Sequence, residues 1–180
     1  MKYLIFLALI INSLLASDNF NTKTDVAPVN NQLYIKECGS CHFPYQAGLL
    51  PANAWNKMMT NLENHFNSDA SLNEADLQTL TKYLNDNSAE KNMQYKRSNR
   101  IVSSLAKNQI PDSISTTPYM IKKHEDIRKD LITQNEVKGL FNCIACHKTA
   151  DKGIYGERDI NIPNFGRWKD ISFISTSCFC

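Results

Sequence analysis

The stretch FNCIACHKT at Phe141–Thr149 repeats a pattern that already occurs in ECGSCHF at Glu37–Phe43. Both contain a Cys-x-x-Cys-His unit, in which two cysteines three positions apart are followed directly by a histidine. The chain has six cysteines, and the two units contain four of them: Cys38, Cys41, Cys143 and Cys146. Any chemistry assigned to this pattern has to use the paired cysteines and also the adjacent histidines, His42 and His147.

Three chemistries use such a unit, and the chain favours one of them. Structural zinc needs four closed ligands at short spacing, whereas the two units are far apart and each is complete in five residues. A thiol–disulfide exchanger needs its cysteine pair beside a βαβ sheet, and the chain has almost no alternating strand pattern. Covalent haem attachment uses every residue of the unit, because the thiols add to the porphyrin vinyl groups and the histidine binds the iron. The sequence therefore predicts two covalently bound haem c groups, held by the four cysteines with His42 and His147 as proximal iron ligands.

The composition and the first residues predict an exported soluble protein. The 180 residues are 42% hydrophobic and 21% charged, with a formal net charge of +2. No polybasic arm is present, so binding to nucleic acid is not predicted. MKYLIFLALIINSLLA has a lysine, an apolar run and small residues before a polar stretch, which is typical of a secretory signal peptide. An uncleaved membrane anchor is the alternative, but the apolar run is shorter than the ~20 residues of a membrane span. We predict cleavage after residue 16 and a periplasmic location.

Each predicted iron has a second axial position, and the chain has one further histidine for each. Of the four histidines, His65 and His124 are not part of a Cys-x-x-Cys-His unit. His65 lies 23 residues after His42, and His124 lies 23 residues before His147. We predict that they are the distal ligands, with His65 opposite His42 and His124 opposite His147. Crossed pairing is the alternative and would require interlocked domains. Ligation by two histidines would give six-coordinate haems of comparatively low potential.

Helical periodicity supports the choice of these two histidines. A helix is predicted from Pro51 to Phe66, with His65 on the same face as Trp55, Met58 and Leu62. A second helix is predicted from Pro118 to Gln134, with His124 on the same face as Met120, Ile127 and Leu131. Methionines are the alternative distal ligands, although core packing is their ordinary use; those in plausible helices are Met58, Met59, Met93 and Met120.

The predicted organisation is two small haem domains joined by a helix and a linker. The predicted ranges are 17–95 for the first haem domain, 96–118 for a connecting helix and linker, 119–172 for the second haem domain and 173–180 for a tail. A first helix is predicted from about Asn30 into Cys38. Residues 71–74, SLNE, match a capping box that would begin another helix of the first domain, with Leu77, Leu80 and Leu84 on one face. The basic stretch from Lys91 to Lys107 is predicted to be a solvated connecting helix, with a docking face for an acidic partner as the alternative. The glycine- and proline-containing segment after the second haem unit is predicted to wrap its haem, with ring edges covered by Tyr155, Phe165 and Trp168. Cys178 and Cys180 in the tail have no following histidine and receive no role.

These segments resemble the family of small periplasmic dihaem cytochromes c. The resemblance extends from about Leu33 to Trp168 and rests on YIKECGSCHFPYQAGLLPANAW, NLENHF, TPYMIKKHEDI, FNCIACHKTA and IPNFGRW. It implies a mainly α fold, in which the first domain is like a class I cytochrome c and the second is less regular. It also implies bis-histidine ligation of both irons. Members of this family look like electron donors to other periplasmic haem proteins. The resemblance also implies a membrane b-type cytochrome as the upstream donor.

The function predicted from these features is electron transfer between redox partners, and not enzymatic catalysis. Exposed cations are candidates for contact with an acidic partner, namely Lys91, Lys96, Lys107, Lys122 and Lys123. The alternative is a dihaem peroxidase or a haem enzyme that binds a small ligand, which needs one labile distal ligand. A sensor or structural subunit is a further alternative. Four histidines for four axial positions favour the electron carrier.

Overall fold

The computed structural model describes residues 24–168. The predicted signal peptide and the tail with Cys178 and Cys180 lie outside the described residues. Within them the chain is mainly helical, which confirms the predicted fold class. Seven α-helices are found there: α1 (Gln32–Cys38), α2 (Ala52–Met59), α3 (Glu74–Asp86), α4 (Lys96–Ser104), α5 (Pro118–His124), α6 (Lys129–Thr133) and α7 (Cys143–Cys146).

A small antiparallel sheet lies near the C-terminal end of the described residues. Strand β1 (Asn161–Ile162) pairs with β2 (Gly166–Arg167), so that Asn161 lies opposite Arg167. The segment that was expected to wrap the second haem thus contains a short hairpin between its turns. Between residues 24 and 168, no helix combines the length and the apolar character needed to cross a bilayer.

Asparagine N-caps explain where helices α1 and α3 begin. The Asn31 side chain accepts a hydrogen bond from the Tyr34 N–H, and α1 follows, close to its predicted start. Helix α3 begins at Glu74 because the Asn73 side chain accepts from the Asp76 N–H at 2.9 Å. The predicted capping box that starts at residue 71 is therefore wrong by two residues. Asparagine is as good an N-cap as serine, and sequence alone does not rank the two.

The helix predicted from Pro51 to Phe66 is too long. Helix α2 ends at Met59, where the Thr60 hydroxyl donates to the Lys57 carbonyl and Asn61 leaves the helical region at φ −141° and ψ 40°. Threonine and asparagine both form local hydrogen bonds that compete with a helix. A short 3₁₀ turn at residues 62–64 follows, and His65 is extended. Helical periodicity therefore does not explain how His65 is positioned.

The helix predicted from Pro118 to Gln134 is also divided. Helix α5 ends at His124, and α6 begins only at Lys129 after an extended Arg128. The Nδ1 atom of His124 lies 2.7 Å from the carbonyl oxygen of Met120. A histidine can satisfy one of the carbonyls that a helix leaves unpaired at its C-terminus, which favours an end at this residue. His124 is therefore at the end of a helix and not in the middle of one.

The first hydrophobic core joins helices α1, α2 and α3. Leu80 and Leu84 of α3 are buried, which confirms the predicted apolar face of that helix. Trp55 of α2 is buried too, and its indole N–H donates to the Ala47 carbonyl at 2.8 Å. The remaining members are Tyr34, Ala47, Leu50, Ala54 and Met59.

The second core combines residues from both ends of the described chain. Its members are Val26, Leu49, Ile101, Met120, Ala150 and Tyr155. Helix α4 contributes Ile101, which is fully buried, and the hydroxyl of the buried Ser98 donates to the Gly48 carbonyl at 2.8 Å. The prediction that this connecting helix is solvated is therefore wrong, because one of its faces packs inside the protein. The predicted domain boundaries stay a prediction.

Gly153 joins the segment at Asp25 and Val26 to the loop after the second Cys-x-x-Cys-His unit through backbone hydrogen bonds. Its carbonyl accepts from the N–H groups of Asp25 and Val26, at 2.8 and 3.2 Å. Its φ of 70° lies in the left-handed region, which glycine adopts without steric cost. A Cβ at this position would lie 2.1 Å from the Val26 carbonyl oxygen, so the close approach of the two segments requires glycine.

Candidate cofactor site

A single large cavity brings all the predicted site residues together. Its volume is about 1970 Å³, roughly twice the upper end of the 300–1,000 Å³ that is usual for a pocket holding one small ligand. The lining includes every predicted cysteine and histidine of the site: Cys38, Cys41, His42, His65, His124, Cys143, Cys146 and His147. The space is therefore sufficient for two large groups within one cavity.

The four histidines form two facing pairs inside this cavity. The ring centroids of His42 and His65 are 6.1 Å apart, and those of His124 and His147 are 6.3 Å apart. Two imidazoles that bind one metal ion from opposite sides have centroids roughly 6 Å apart, because a metal–nitrogen bond is about 2 Å long and the centroid lies about 1 Å behind the nitrogen. The spacing of each pair therefore fits one metal ion between the rings.

The two pairs differ in the relative orientation of their rings. The imidazole planes of His42 and His65 are 26° apart, which is close to parallel. The planes of His124 and His147 are 82° apart, which is nearly perpendicular. Two otherwise similar centres would therefore have different ligand fields.

Backbone carbonyls orient one histidine of each pair. His42 Nδ1 lies 2.8 Å from the Phe43 carbonyl oxygen, and His124 Nδ1 lies 2.7 Å from that of Met120. A carbonyl only accepts, so Nδ1 carries the proton in both rings and Nε2 keeps its lone pair for a metal. This is the usual arrangement of a metal-binding histidine with a supporting hydrogen bond.

The surroundings keep three of the imidazoles neutral, which is the form that binds a metal. Burial lowers the pKa of His147 to about 4, and the charge of Arg97 adds to the effect. Burial also lowers the pKa of His65, with a smaller contribution from His42. The pKa of His124 is lowered mainly by burial, against the opposing effect of its hydrogen bond to Met120.

The four cysteines lie in two short turns, and each is free of a disulfide. Cys38 is the last residue of α1, and Cys143 and Cys146 are the first and last residues of α7. Burial raises the pKa of the thiols of Cys38 and Cys143 to about 11. Thiol–disulfide exchange needs the opposite shift, since its nucleophile is a thiolate. The thiols of Cys38 and Cys143 are therefore not activated for thiol exchange.

Two residues that line the cavity each have a nitrogen that is buried without a hydrogen-bond partner among residues 24–168. The two nitrogens are His147 Nδ1 and Arg97 Nε. Buried polar groups are nearly always paired in folded proteins. These two nitrogens are exceptions to that rule in the described chain. The cavity, the facing imidazoles and the paired cysteines fit the two haems predicted from the sequence.

The aromatic lining differs in part from the prediction. Tyr155 and Trp168 line the cavity as expected, and the Tyr155 ring is 5.3 Å from that of His147. Phe165 does not line it, because its ring packs under the Arg128 guanidinium at 5.4 Å. Sequence reasoning missed Tyr45, whose ring is 5.0 Å from that of His42 and whose hydroxyl donates to the Phe141 carbonyl. No local pattern indicates that contact, since it joins residues 96 positions apart.

The alternative methionine ligands are placed in the hydrophobic cores. Met59 and Met120 are buried members of the first and second core, and Met58 packs against the first. All three also line the cavity, whereas Met93 is exposed and does not. In each half, it is a histidine that faces the motif histidine across the cavity.

Comparison with known proteins gives a consistent result. Residues 34–155 match the family model described as dihaem cytochrome c. The X-ray structure of the diheme cytochrome type c from Shewanella baltica OS155 is 36% identical, with a TM-score of 0.63 over 77% of this chain and 97% of that chain. The diheme cytochrome c from Rhodobacter sphaeroides is 33% identical, with a TM-score of 0.64 over 72% of this chain and 100% of that chain. A crystal structure of DHC purified from Rhodobacter sphaeroides is 32% identical, with a TM-score of 0.58 over 71% and 99%. A search of curated proteins gives no match.

Proposed function

The chain belongs to the dihaem cytochrome c family and carries two covalently bound haem c groups, and from this premise we propose that it is a periplasmic carrier that passes electrons between redox partners. Each haem supplies one-electron chemistry at its iron. The protein provides attachment, axial ligands and a buried environment, which together set the reduction potential. Family members are generally electron carriers, and this supports transfer rather than catalysis.

The proposal assigns each predicted site residue to one haem. Cys38 and Cys41 hold the first haem, and His42 and His65 bind its iron. The second set follows the same scheme: Cys143 and Cys146 hold the haem, and His147 and His124 bind the iron. Both irons are then six-coordinate and of comparatively low potential.

The facing histidine pairs are the observation that carries this function. Centroid separations of 6.1 and 6.3 Å support irons that would have imidazole at both axial positions. A peroxidase or a ligand-binding enzyme needs one position that is open or easily vacated. The two centroid separations are nearly equal. Neither histidine pair is therefore spaced to leave one iron with an open position. Electron transfer has no such requirement.

We propose a periplasmic haem protein as the electron acceptor and a membrane b-type cytochrome as a donor. Lys96, Lys122 and Lys123 support an electrostatic encounter, because they line the cavity and are exposed. Transient redox encounters bury little surface and depend on complementary charge. The signal-like first 16 residues support the periplasmic location.

The absorption spectrum in the presence of carbon monoxide tests the carrier function. We expect a c-type spectrum with two haems per chain that carbon monoxide does not change after reduction, because both irons are saturated. A shift that accounts for half of the haem would mean that one distal ligand is labile. The enzyme alternative would then replace the carrier.

Electron paramagnetic resonance of the oxidised protein tests the ligand assignment separately. Nearly parallel imidazole planes split two iron d orbitals strongly, whereas perpendicular planes leave them close in energy. The plane angles of 26° and 82° therefore predict one rhombic low-spin signal and one strongly anisotropic low-spin signal, in equal amounts. In the His65→Ala variant the rhombic signal should disappear and the anisotropic one remain. Two identical signals would contradict the assignment.

A further inference from the structure

Arg97 of α4 is a cation held inside the protein beside the second histidine pair. Only 13% of its side chain is exposed, and it lines the cavity. Its Nη2 donates to the Tyr155 carbonyl at 3.1 Å, and its Nη1 donates to the Tyr119 hydroxyl at 3.4 Å. The guanidinium carbon is 4.9 Å from the Tyr155 ring centroid and 5.7 Å from that of Tyr119. An arginine side chain carries a permanent positive charge, and here it is fixed between two rings.

The charge is close to His147. The Tyr155 ring contacts both groups, at 4.9 Å from the guanidinium carbon and 5.3 Å from the His147 ring centroid. The guanidinium therefore lies within about 10 Å of the imidazole. At that distance and an effective dielectric constant of about 20, one unit charge changes a one-electron equilibrium by about tenfold or slightly more.

Asp25 offsets this charge only in part. Its Oδ2 is 3.8 Å from Arg97 Nη2 and also accepts from the Tyr155 N–H at 2.8 Å. A charge-assisted hydrogen bond would be about 2.7–2.9 Å long, so the ion pair is a loose one. In addition, Arg97 Nε is buried without a partner among the described residues.

Among the described residues, the cavity-lining charges within four positions of a first-site cysteine or histidine are Glu37 and Asp69, and both are acidic. By the same criterion the second site has Lys122, Lys123 and Asp126, and Arg97 lies against the Tyr155 ring that contacts His147. Even with Asp25 counted, the charge near the second pair is therefore more positive than the charge near the first.

We infer that Arg97 raises the reduction potential of the haem bound by His124 and His147, and makes it the first of the two haems to be reduced. The inference rests on the proposed function, because it takes these histidines as ligands. Reduction adds one electron to a ferric iron, and a nearby positive charge stabilises the product. The electron comes from a low-potential one-electron donor, for which dithionite substitutes in a titration.

A redox titration of the haem-loaded protein, followed by electron paramagnetic resonance, measures each haem separately. In the unaltered protein the anisotropic signal should disappear at a higher potential than the rhombic one. Arg97→Gln removes the charge, and we expect the equilibrium constant for reduction of the second haem to fall about tenfold, or about 59 mV. The shift at the first haem should be smaller, because the ring that contacts Arg97 also contacts His147 of the second pair and a Coulomb interaction weakens with distance.

Three further variants separate charge from structure. Arg97→Lys keeps the charge but loses the planar contacts, so the potential should stay near that of the unaltered protein. Asp25→Asn removes the partial offset, so the potential of the second haem should rise. Lys82→Gln removes one charge from an exposed ion pair with Asp86 that does not line the cavity, and neither haem should respond.

The outcomes are distinguishable. An unchanged second haem in Arg97→Gln, or an equal fall in Arg97→Lys, would overturn the inference and leave Arg97 a structural residue. A rhombic signal that titrates first would overturn the order of reduction. If Arg97→Gln does not accumulate with haem, the direction of the shift in Asp25→Asn decides, and a fall there overturns the inference. Absence of two distinct low-spin signals in the unaltered protein would instead contradict the ligand assignment of the proposed function.

Discussion

The His124→Ala variant is expected to bind carbon monoxide at one of its two reduced haems, whereas the unaltered protein binds none. His124 and His147 face each other at 6.3 Å between ring centroids, so removing one ring opens one side of one iron. Alanine cannot bind a metal, and the residue lies at the end of α5, where truncation leaves the preceding turns in place. Half of the haem absorbance should therefore respond. The anisotropic resonance signal should be lost, while the rhombic one from the first haem remains.

Two matched variants control this experiment. Lys123→Ala changes the neighbouring exposed residue of the same helix and should leave the spectrum insensitive to carbon monoxide. His65→Ala should produce the same half response through the other haem. If His124→Ala stays insensitive, another side chain binds the iron in its place, and Met120 would be the first to examine because it lines the same cavity.

Replacing Trp55 by alanine is expected to cost about 3–5 kcal/mol of unfolding free energy, the usual range for a buried tryptophan. The side chain is 3% exposed and packs in the first core between α1, α2 and α3. Its loss leaves a void and also removes the donor to the Ala47 carbonyl, which lies 2.8 Å from the indole nitrogen. Denaturant unfolding of the haem-loaded protein, followed by far-ultraviolet circular dichroism, measures the change.

Trp55→Phe separates the two contributions. It keeps most of the ring but leaves the Ala47 carbonyl without its donor, so a loss of about 1–3 kcal/mol is expected. Lys57→Ala, on an exposed position of the same helix, should change the stability by no more than about 0.5 kcal/mol. A loss below about 1 kcal/mol in Trp55→Ala would show that the first core does not depend on the indole.

The cofactor was predictable because its chemistry is local. Each Cys-x-x-Cys-His unit has the predicted attachment cysteines and one predicted ligand within five residues, so the prediction does not depend on the fold. Family membership and two covalently bound haem groups agree with that prediction. The apolar face of α3 was predictable for a related reason, since its period reflects a single helix.

The helices around His65 and His124 were predicted incorrectly. An apolar residue every three or four positions continues past Met59, but Thr60 and Asn61 form local bonds that end the helix. The same pattern continues past His124, although the chain there becomes extended before α6. In both cases the residues of the predicted face line the cavity, but periodicity failed to show where the helix ends and the backbone turns.

The sequence alone was enough to predict which residues carry the haem chemistry, whereas tertiary structure decided what surrounds them. Arg97 looks like one member of a basic, exposed helix, and it is buried because Asp25 and Tyr155 reach it from opposite ends of the described chain. Those two residues are 130 positions apart and are joined by the Tyr155 N–H and the Asp25 carboxylate. The orientation of the histidine planes is equally a product of packing. Short-range rules describe covalent chemistry and single helices, but the burial of a charge depends on contacts that form only when distant segments meet.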